Sequence, residues 1–346
     1  MKRVLVTGGT GYIGSHTAVE LMEKGYDVVI IDNLSNSDIE VLDGIAGITG
    51  KRPDFENIDL RDREATFSLF KKYPDIHSVI HFAAFKAVGE SVNKPLAYYH
   101  NNINSLIYLL EAMSTYKVRQ IVFSSSCTVY GEPDSLPVTE EAPIKPANSP
   151  YGNTKQICEE ILRDALVPDP KLNIIALRYF NPVGAHPSAL IGELPIGIPN
   201  NLVPFITQTA IGIRDTLRVF GGDYNTPDGT AIRDYINVVD LAKAHVVAIE
   251  RMVNKRQKQN LEVFNLGTGK GFSVMEVIKA FERSTGEKLN YRIVGRREGD
   301  VEQVFADTSF ANAELGWKAE KTLDETLLSA WNWEKYIRSK QRNIKT

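Results

Sequence analysis

The sequence predicts an α/β fold in which a doubly wound, parallel Rossmann-type sheet is followed by a smaller mixed α/β domain. Through the first 180 residues, short apolar runs rich in β-branched residues alternate with amphipathic helical stretches. Buried parallel strands joined by right-handed crossover helices have this pattern. After residue 180 the chain becomes rich in proline and glycine and then mixes short elements. We therefore expect two domains, 1–180 and 181–346, although segments of the second may return to the first.

The predicted elements follow from local pattern and turn chemistry. The strands of the first domain are residues 3–7, 27–32, 54–59, 78–82, 120–124 and 173–178, and its helices are residues 13–24, 63–72, 101–115 and 151–165. Proline and glycine favour a loop over residues 181–201, and helices are expected at residues 201–211, 238–253, 273–284 and 323–336.

Composition narrows the class of protein. The 346 residues are 43 % apolar and 24 % charged, which is ordinary for a globular chain. A net charge of −3 and a pI near 6.1 give no electrostatic reason to expect nucleic acid as a partner. No run approaches the 18 or so apolar residues of a membrane span, and two cysteines suit a reducing compartment. We predict a cytoplasmic protein without a metal site.

A glycine-rich turn follows the first predicted strand and opens the first helix. Residues 7–14 read Thr-Gly-Gly-Thr-Gly-Tyr-Ile-Gly, and Gly8, Gly11 and Gly14 allow a tight turn that approaches a pyrophosphate at the helix N-terminus. Such a pattern alone also occurs in ordinary loops, but the strand before it and the helix after it favour a dinucleotide. Asp32 ends the second strand, where a carboxylate accepts ribose hydroxyls. Because residues 33–37 contain no arginine or lysine for a 2′-phosphate, we predict NAD.

Tyr151 and Lys155 lie four residues apart, hence on one helical face, and follow a strand that ends in a serine cluster closing with Ser126. A phenol has a pKa near 10 and is a poor base at pH 7, but a nearby ammonium and a cationic nicotinamide both favour the phenolate. Tyr151 then removes a proton from a carbinol, Ser126 shares it by hydrogen bond, and Lys155 holds the ribose. Tyr336 and Lys340 repeat the spacing near the C-terminus, where we expect a solvated helix face.

The glycine turn, the serine cluster and the Tyr-x-x-x-Lys pair resemble the extended short-chain dehydrogenase/reductase family. Three longer strings narrow the resemblance to the UDP-galactose 4-epimerases of that family. They are His-Phe-Ala-Ala-Phe-Lys-Ala-Val-Gly-Glu-Ser at 81–91, Arg-Tyr-Phe-Asn-Pro-Val-Gly-Ala-His-Pro at 178–187 and Arg-Arg-Glu-Gly-Asp at 296–300. The likeness runs from the first strand to about Trp333.

The resemblance implies two sets of contacts. Besides Gly8, Gly11 and Gly14, the cofactor set is Tyr12, Ile13, Asp32, Asn33, Leu34, Ser35, Asn36, Ser37, Asp59, Leu60, Phe82, Ala83, Ala84, Phe85, Lys86, Asn101, Ser126, Tyr151, Lys155 and Phe180. The sugar-nucleotide set is Lys86, Ser126, Tyr151, Asn181, Asn201, Leu202, Arg218, Phe220, Arg233, Arg297, Asp300 and Val304. Arginine side chains suit a diphosphate and a carboxylate suits a ribose hydroxyl.

The activity implied is interconversion of UDP-galactose and UDP-glucose through a transient 4-keto intermediate. Val304 stands where a bulky tyrosine would exclude N-acetylated hexoses, so the resemblance extends the substrates to UDP-N-acetylgalactosamine and UDP-N-acetylglucosamine. It also implies a homodimer, paired through the apolar helices at residues 102–113 and 158–165. Related dehydratases carry an Asp-Glu pair where this chain has Cys127 and Thr128, which argues against dehydration.

Two alternatives stay open on the sequence alone. One is an epimerase of another nucleotide sugar, such as a UDP-uronic acid, which an additional arginine or serine facing C6 of the sugar would favour. The other is a non-catalytic Rossmann protein that only binds NAD, against which the intact set Ser126, Tyr151 and Lys155 weighs.

Overall fold

The computed structural model describes residues 2–297 and 300–344, and it confirms the predicted fold class. Most of its strands are short. They are β1 (Arg3–Thr7), β2 (Asp27–Asp32), β3 (Asp54–Asn57), β4 (Ile76–His81), β5 (Gln120–Ser126), β6 (Asn173–Tyr179), β7 (Asn181–Val183), β8 (Leu217–Phe220), β9 (Ile232–Arg233), β10 (Tyr235–Asn237), β11 (Leu261–Leu266), β12 (Phe272–Ser273), β13 (Tyr291–Val294) and β14 (Gln303–Val304).

Helices cover the sheet and build much of the second half of the chain. They are α1 (Tyr12–Glu23), α2 (Val41–Thr49), α3 (Arg63–Lys72), α4 (Val88–Asn93), α5 (Pro95–Thr115), α6 (Pro150–Ala165), α7 (Leu202–Ala210), α8 (Val238–Val253), α9 (Val274–Thr285) and α10 (Leu323–Ile344). A 3₁₀ turn, Cys127–Tyr130, follows β5, and a π-helical turn spans Ala311–Leu315.

The main sheet has seven parallel strands in the order β11-β6-β5-β4-β1-β2-β3. Along β1, Val4 and Val6 face one apolar cluster and Leu5 faces another, because successive side chains of a strand point to opposite faces. All three are fully buried, as expected of a sheet covered by helices on both sides. Strand order reverses direction at β1, so the carboxyl ends of β1 and β4 border the crevice where such sheets bind ligands.

The observed strands and helices differ from the predicted ones mainly where contacts between distant parts of the chain determine the local structure. Strand β11, which was not predicted, pairs with β6 and returns part of the second half of the chain to the main sheet. The division at residue 180 stays a prediction. Helix α5 begins at Pro95 rather than at residue 101, because proline fits the first helical turn. Helices α2 and α4 were not predicted, and β7 lies in the expected loop.

Neither a membrane-spanning helix nor a metal centre is found in the described part of the chain. None of its helices combines the length and apolar character that crossing a bilayer requires. No cluster of three or more His, Cys, Asp or Glu side chains with a geometry suited to a metal ion occurs among these residues.

Three buried histidines link the stability of the fold to pH. His16, His81 and His245 are at most 2 % exposed. Burial lowers the pKa of His16 and of His81 to about 3 and that of His245 to about 4. The unfolded chain binds these protons near pH 6.5, whereas the native chain stays neutral until much lower pH. The stability contributed by the neutral rings is therefore complete above about pH 6.5 and decreases as the pH falls towards 4.

We expect the free energy of unfolding to fall by about 1.4 kcal/mol per pH unit for each of these histidines between about pH 6 and pH 4.5. Urea unfolding at a series of pH values measures this slope. His245→Asn is the matched variant, because its amide keeps a donor for the Leu241 carbonyl, which His245 Nδ1 contacts at 2.9 Å. The slope of this variant should be smaller by one histidine's share, and an unchanged slope would contradict the assignment.

Candidate active site

The glycine turn between β1 and α1 is folded tightly against its neighbours. Gly8 has φ +68°, and a β-carbon there would lie 2.8 Å from the Ala83 nitrogen. A β-carbon on Gly14 would collide with the Gly8 carbonyl oxygen. Helix α1 begins after Gly11 without a side-chain cap, so its first N–H groups are available to an anion at the positive end of the helix dipole. This cradle fits a pyrophosphate.

Asp32 lies at the carboxyl end of β2 and is oriented by the residues that follow it. Its carboxylate accepts hydrogen bonds from the Leu34 nitrogen at 3.0 Å, the Ser37 hydroxyl at 3.1 Å and the Thr10 nitrogen at 3.3 Å. Leu34 adopts φ +57°, which turns the segment back over the glycine turn. A carboxylate held in this way is placed to accept the two hydroxyls of a ribose.

The remaining predicted cofactor residues surround the glycine turn and Asp32. Asn33 donates to Asp59 at 3.1 Å, and hydrogen bonds from Arg61 hold the pKa of Asp59 well below its usual range, so Asp59 is ionised. Ser35 and Asn36 are exposed. Leu60 is 4 % exposed and belongs to the core, which makes it at most a wall of the site.

The segment from Phe82 to Lys86 leaves β4 beside the glycine turn. The Ala83 nitrogen donates to Thr7 Oγ1 at 3.2 Å. Asn102 of α5 holds the backbone of Phe85 at both its N–H and its carbonyl, at 2.8 and 3.0 Å. Asn101, which was predicted to meet the cofactor, donates to Asn102 at 2.9 Å. Asn102 was missed by the sequence analysis, which had no means to tell the two neighbouring asparagines apart.

The predicted catalytic helix is α6. Ser149 caps it by accepting from the Gly152 nitrogen at 3.1 Å, and Pro150 occupies its first turn. Tyr151 and Lys155 are 9 and 3 % exposed and face the end of β5. Lys155 Nζ donates to the Ser124 carbonyl at 2.5 Å and lies 4.8 Å from the centre of the Phe123 ring. Burial lowers the pKa of Lys155 to about 8.

The pKa of Tyr151 lies above its ordinary value, whereas the sequence analysis expected nearby cations to lower it. Burial raises its pKa to about 12, and a hydrogen bond with Ser126 opposes that rise. The Lys155 ammonium is engaged with Ser124, so a shift of Tyr151 towards the phenolate needs the positive charge of a bound nicotinamide. Tyr179, whose hydroxyl pairs with the Ser124 hydroxyl, is a second buried phenol of this site that the sequence analysis did not select.

The substrate residues of the second half lie on the short strands beyond β6. Arg233 of β9 donates to Asp300 at 2.8 Å, and the two side chains are 15 and 30 % exposed. Val304 of β14 pairs in register with Arg233 and packs in the apolar cluster that contains Phe180 and Cys127. The structure therefore brings a cation, a carboxylate and an aliphatic wall beside the residue that follows Ser126.

A second group forms the rim of the crevice around Glu193, which the sequence analysis missed because it lies in a proline- and glycine-rich loop. Asn201 donates to Glu193 at 2.6 Å, and Lys86 Nζ lies 3.6 Å from the same oxygen. The indole nitrogen of Trp333 donates to the Glu193 carbonyl at 2.8 Å. Tyr12 donates its hydroxyl to Gly184 at 2.7 Å. The rim therefore joins residues predicted for both ligands.

Other predicted substrate residues lie further out. Arg218 and Phe220 share β8, where the exposed Arg218 guanidinium stands 5.7 Å from the centre of the Phe220 ring. Arg297 is exposed and reaches Gly89 of α4. Asn181 donates its backbone N–H to Asp234 at 3.0 Å, and Leu202 opens α7. Glu298 and Gly299 of the arginine-rich string lie outside the described residues.

Comparisons with known proteins agree along nearly the whole chain. The family model described as GDP-mannose 4,6 dehydratase matches residues 5–329. A curated UDP-glucose 4-epimerase of Bacillus subtilis is 53 % identical over 331 residues, which cover 96 % of each chain.

Solved structures give the same result. A UDP-glucose 4-epimerase from Stenotrophomonas maltophila, with bound NAD and formylated UDP-arabinopyranose, superposes with a TM-score of 0.94 at 49 % identity, covering 98 % of this chain and 100 % of that chain. A UDP-Glc/GlcNAc 4-epimerase from Campylobacter jejuni superposes with a TM-score of 0.83 at 35 % identity, covering 97 and 100 %. The chain thus belongs to the UDP-glucose 4-epimerases of the extended short-chain dehydrogenase/reductase family.

Proposed function

We propose that this protein interconverts UDP-galactose and UDP-glucose by inverting the configuration at C4 of the sugar, with NAD bound throughout. The observation that carries the proposal is the burial of Ser126, Tyr151 and Lys155 together at the end of β5. The glycine turn lies at the end of β1, on the same edge of the sheet and separated from β5 by β4, and Arg233 lies beside Cys127. Family membership and the ligands named for the S. maltophila structure support this substrate and cofactor.

NAD fits the first half of the site. The uncapped N-terminus of α1 receives the pyrophosphate, and Asp32 receives the adenosine ribose. The absence of arginine and lysine from residues 33–37 favours NAD over NADP. When bound, NAD accepts two electrons and a hydrogen from C4 and later returns them to the opposite face. Lys155 is the proposed contact of the nicotinamide ribose, and its burial on α6 beside Tyr151 supports this role.

Tyr151 is the proposed base that removes the C4 hydroxyl proton and returns it after the sugar has turned. Because burial raises its pKa to about 12, a bound cationic cofactor has to lower that pKa by several units for the phenolate to form at neutral pH. The positive charges of NAD and of Lys155 act in that direction, and their effect is large in a dry crevice. Catalysis therefore depends on the cofactor both for the deprotonation of Tyr151 and for the redox chemistry.

The nucleotide residues explain how the sugar is free to turn. Arg233 and Asp300 form an ion pair. A diphosphate takes the place of Asp300 at the guanidinium, and the released carboxylate accepts the uridine ribose. Binding energy then resides in the UDP part, which leaves the 4-keto sugar free to present either face.

Dehydration is disfavoured by the same geometry. The position after Ser126 holds Cys127, and burial raises the pKa of its thiol to about 12. The next position holds Thr128, which carries no acidic group. Elimination of water from the sugar requires an acid at this place, and neither side chain supplies one at neutral pH.

We also propose N-acetylated hexoses as substrates, because Val304, which packs in the cluster of Phe180 and Cys127, lacks the ring with which a tyrosine would form a wall. Exclusion by a wall is steric and severe, whereas tolerance needs only space. The C. jejuni relative, named for both kinds of sugar, supports this breadth.

We further propose a cytoplasmic homodimer, paired through α5 and α6. Three aliphatic side chains support the dimer. Ile107 and Ile157 are only partly buried within one subunit, and Leu96 is 81 % exposed. The free thiols Cys127 and Cys158 suit a reducing compartment. A solution mass equal to one subunit of 38.6 kDa would overturn the dimer.

The first prediction concerns the base. Tyr151→Phe keeps the ring and removes the acid, so kcat should fall by about 10²–10⁴-fold while UDP affinity stays close to wild type. A coupled assay for UDP-glucose and a UDP binding isotherm measure the two quantities. Tyr336→Phe is the matched control. It should leave kcat and UDP affinity unchanged, because Tyr336 lies on α10 with 36 % of its surface exposed. Retention of more than about a tenth of the wild-type rate would show that Tyr151 is not the base.

The second prediction concerns substrate breadth. Val304→Tyr places a ring beside Phe180 and Cys127 and should remove most turnover of UDP-N-acetylgalactosamine while sparing most turnover of UDP-galactose. Measuring kcat/KM for both sugars with the wild type and the variant separates the two effects. Equal loss with both sugars, or no wild-type turnover of the N-acetylated sugar, would refute the role of Val304 and leave the epimerase proposal intact.

A further inference from the structure

A short loop joins two strands that carry predicted nucleotide residues. Strand β8 ends at Phe220, strand β9 ends at Arg233, and residues 221–231 connect the two strands. The Tyr224 nitrogen donates to the Gly229 carbonyl at 3.0 Å, so the loop folds back on itself. The shape of this loop therefore determines how far Phe220 lies from Arg233.

The ring of Tyr224 is packed tightly against this loop. Tyr224 is 6 % exposed. Gly221 has φ +77°, and a β-carbon there would collide with the Tyr224 ring, so only glycine leaves room for it. The Tyr224 hydroxyl is buried and has no hydrogen-bond partner among the described residues. Contacts of the ring therefore hold this side chain in place.

Arg296 stacks on that ring. Its guanidinium carbon lies 4.2 Å from the centre of the Tyr224 ring, its Nε donates to the Asp223 carboxylate at 2.9 Å, and its Nη2 donates to the Asp223 carbonyl at 2.6 Å. The ion pair alone adds little, because the side chains of Arg296 and Asp223 are 48 and 73 % exposed. The cation–π contact with a buried ring and the hydrogen bond to the backbone add to it and fix the plane of the guanidinium.

The next arginine along the chain has a different neighbour. Arg297 Nη2 lies 3.4 Å from the place that a β-carbon on Gly89 of α4 would take. Arg296 is thus engaged by the loop between β8 and β9, whereas Arg297 approaches α4 in the first half of the chain. Two adjacent residues of the same type therefore have different roles, and Arg297 is the one that the sequence analysis assigns to the nucleotide.

We propose that Arg296 is a positioning residue of the nucleotide site, which holds the neighbouring Arg297 in place through its stack on Tyr224. Because the loop of Tyr224 joins Phe220 to Arg233, the stack also fixes the spacing between the parts of the site that these residues form. The inference rests on the proposed function, which assigns a UDP-sugar to this site.

The stack gains importance when the nucleotide binds. Arg233 and Asp300 form an ion pair, in which a diphosphate takes the place of Asp300 under the proposed function. From then on that pair no longer ties Asp300 to β9, but the contacts of Arg296 with Tyr224 and Asp223 remain. Arg296 is therefore an anchor that persists in the nucleotide complex.

Loss of this anchor should weaken binding and leave the chemical step unchanged. Without the stack, Arg297 has to be ordered when the nucleotide binds, and this ordering opposes association. The proposed reacting groups lie on β5 and α6. KM should therefore rise while kcat stays unchanged, as expected when an interaction is equally strong in the ground state and the transition state.

Isotherms for UDP binding to the NAD-loaded protein test the proposal without turnover. Arg296→Gln and Tyr224→Leu each remove one half of the stack, so the Kd for UDP should rise about tenfold in both variants. Tyr224→Phe is the matched control, because it keeps the ring and removes only the unpartnered hydroxyl. Arg283→Gln removes another exposed arginine, which donates to Asp324 at 2.9 Å. Both controls should keep the Kd within about twofold of wild type.

Arg296→Lys separates the stack from charge alone. It keeps the positive charge but loses the planar guanidinium, so its Kd should also rise by several-fold. A wild-type Kd in this variant would mean that only the charge matters, and it would overturn the positioning role. A Tyr224→Phe protein as weak as Tyr224→Leu would mean that the hydroxyl itself binds the nucleotide, which would overturn it as well.

The NAD content and the urea midpoint show whether each variant is folded. If Tyr224→Leu does not fold, Arg296→Gln decides alone, and an unchanged Kd in that variant would overturn the proposal. With UDP-galactose, KM should rise by the same factor as Kd, and a fall in kcat at unchanged KM would contradict a role in binding. A wild-type protein that binds UDP without epimerase turnover would refute the proposed function, while the isotherms would still decide the role of Arg296.

Discussion

Arg178 of β6 and Glu159 of α6 form an ion pair through two hydrogen bonds, at 2.9 and 2.5 Å, with side chains only 5 and 9 % exposed. Ser125 donates to the same carboxylate at 2.5 Å, and Tyr130 accepts from Arg178 at 2.9 Å. Removing two charges from water costs about as much as their attraction returns, so such a pair adds little net stability. Its effect is geometric, because a bidentate contact fixes one helix against two strands.

That constraint determines where the reacting groups lie. Tyr151, Lys155 and Glu159 follow one another at intervals of four residues, so they share the face of α6 that is turned to the sheet. With Glu159 fixed on Arg178, Lys155 meets the Ser124 carbonyl and Tyr151 meets Ser126. Burial lowers the pKa of Lys155 and raises that of Tyr151. At pH 7 Lys155 is therefore still mostly cationic, whereas Tyr151 is neutral.

The sequence predicted the parts of the molecule that depend on local pattern. The glycine turn, Asp32 at a strand end and the four-residue spacing in α6 each require only a few neighbouring residues, and in the structure they lie along one edge of the main sheet. Strand β11 escaped prediction because its polar Glu262 interrupts an apolar run. In the fold that carboxylate is buried against Arg251, a contact that no local pattern reveals.

The site residues that the sequence analysis did not identify also depend on contacts that no local pattern reveals. Asn102 acts through hydrogen bonds to particular atoms, which become evident only when α5, α6 and the segment after β4 are placed side by side. Glu193 lies in a segment whose composition predicted only a loop, and its carbonyl accepts a hydrogen bond from Trp333, far along the chain. Composition and spacing report what a residue is able to do, whereas its partner is fixed by the tertiary fold.

The proposed epimerase reaction requires that one carbon of the sugar is oxidised and then reduced by a cofactor that never leaves the protein. The most direct measurement uses UDP-galactose carrying deuterium at C4, incubated with the purified protein in ordinary water without added dinucleotide, followed by analysis of the product. If the cofactor returns the same hydrogen, the UDP-glucose produced should retain the deuterium at C4. Replacement of the label by solvent hydrogen, or a strict requirement for added NAD or NADP, would contradict it.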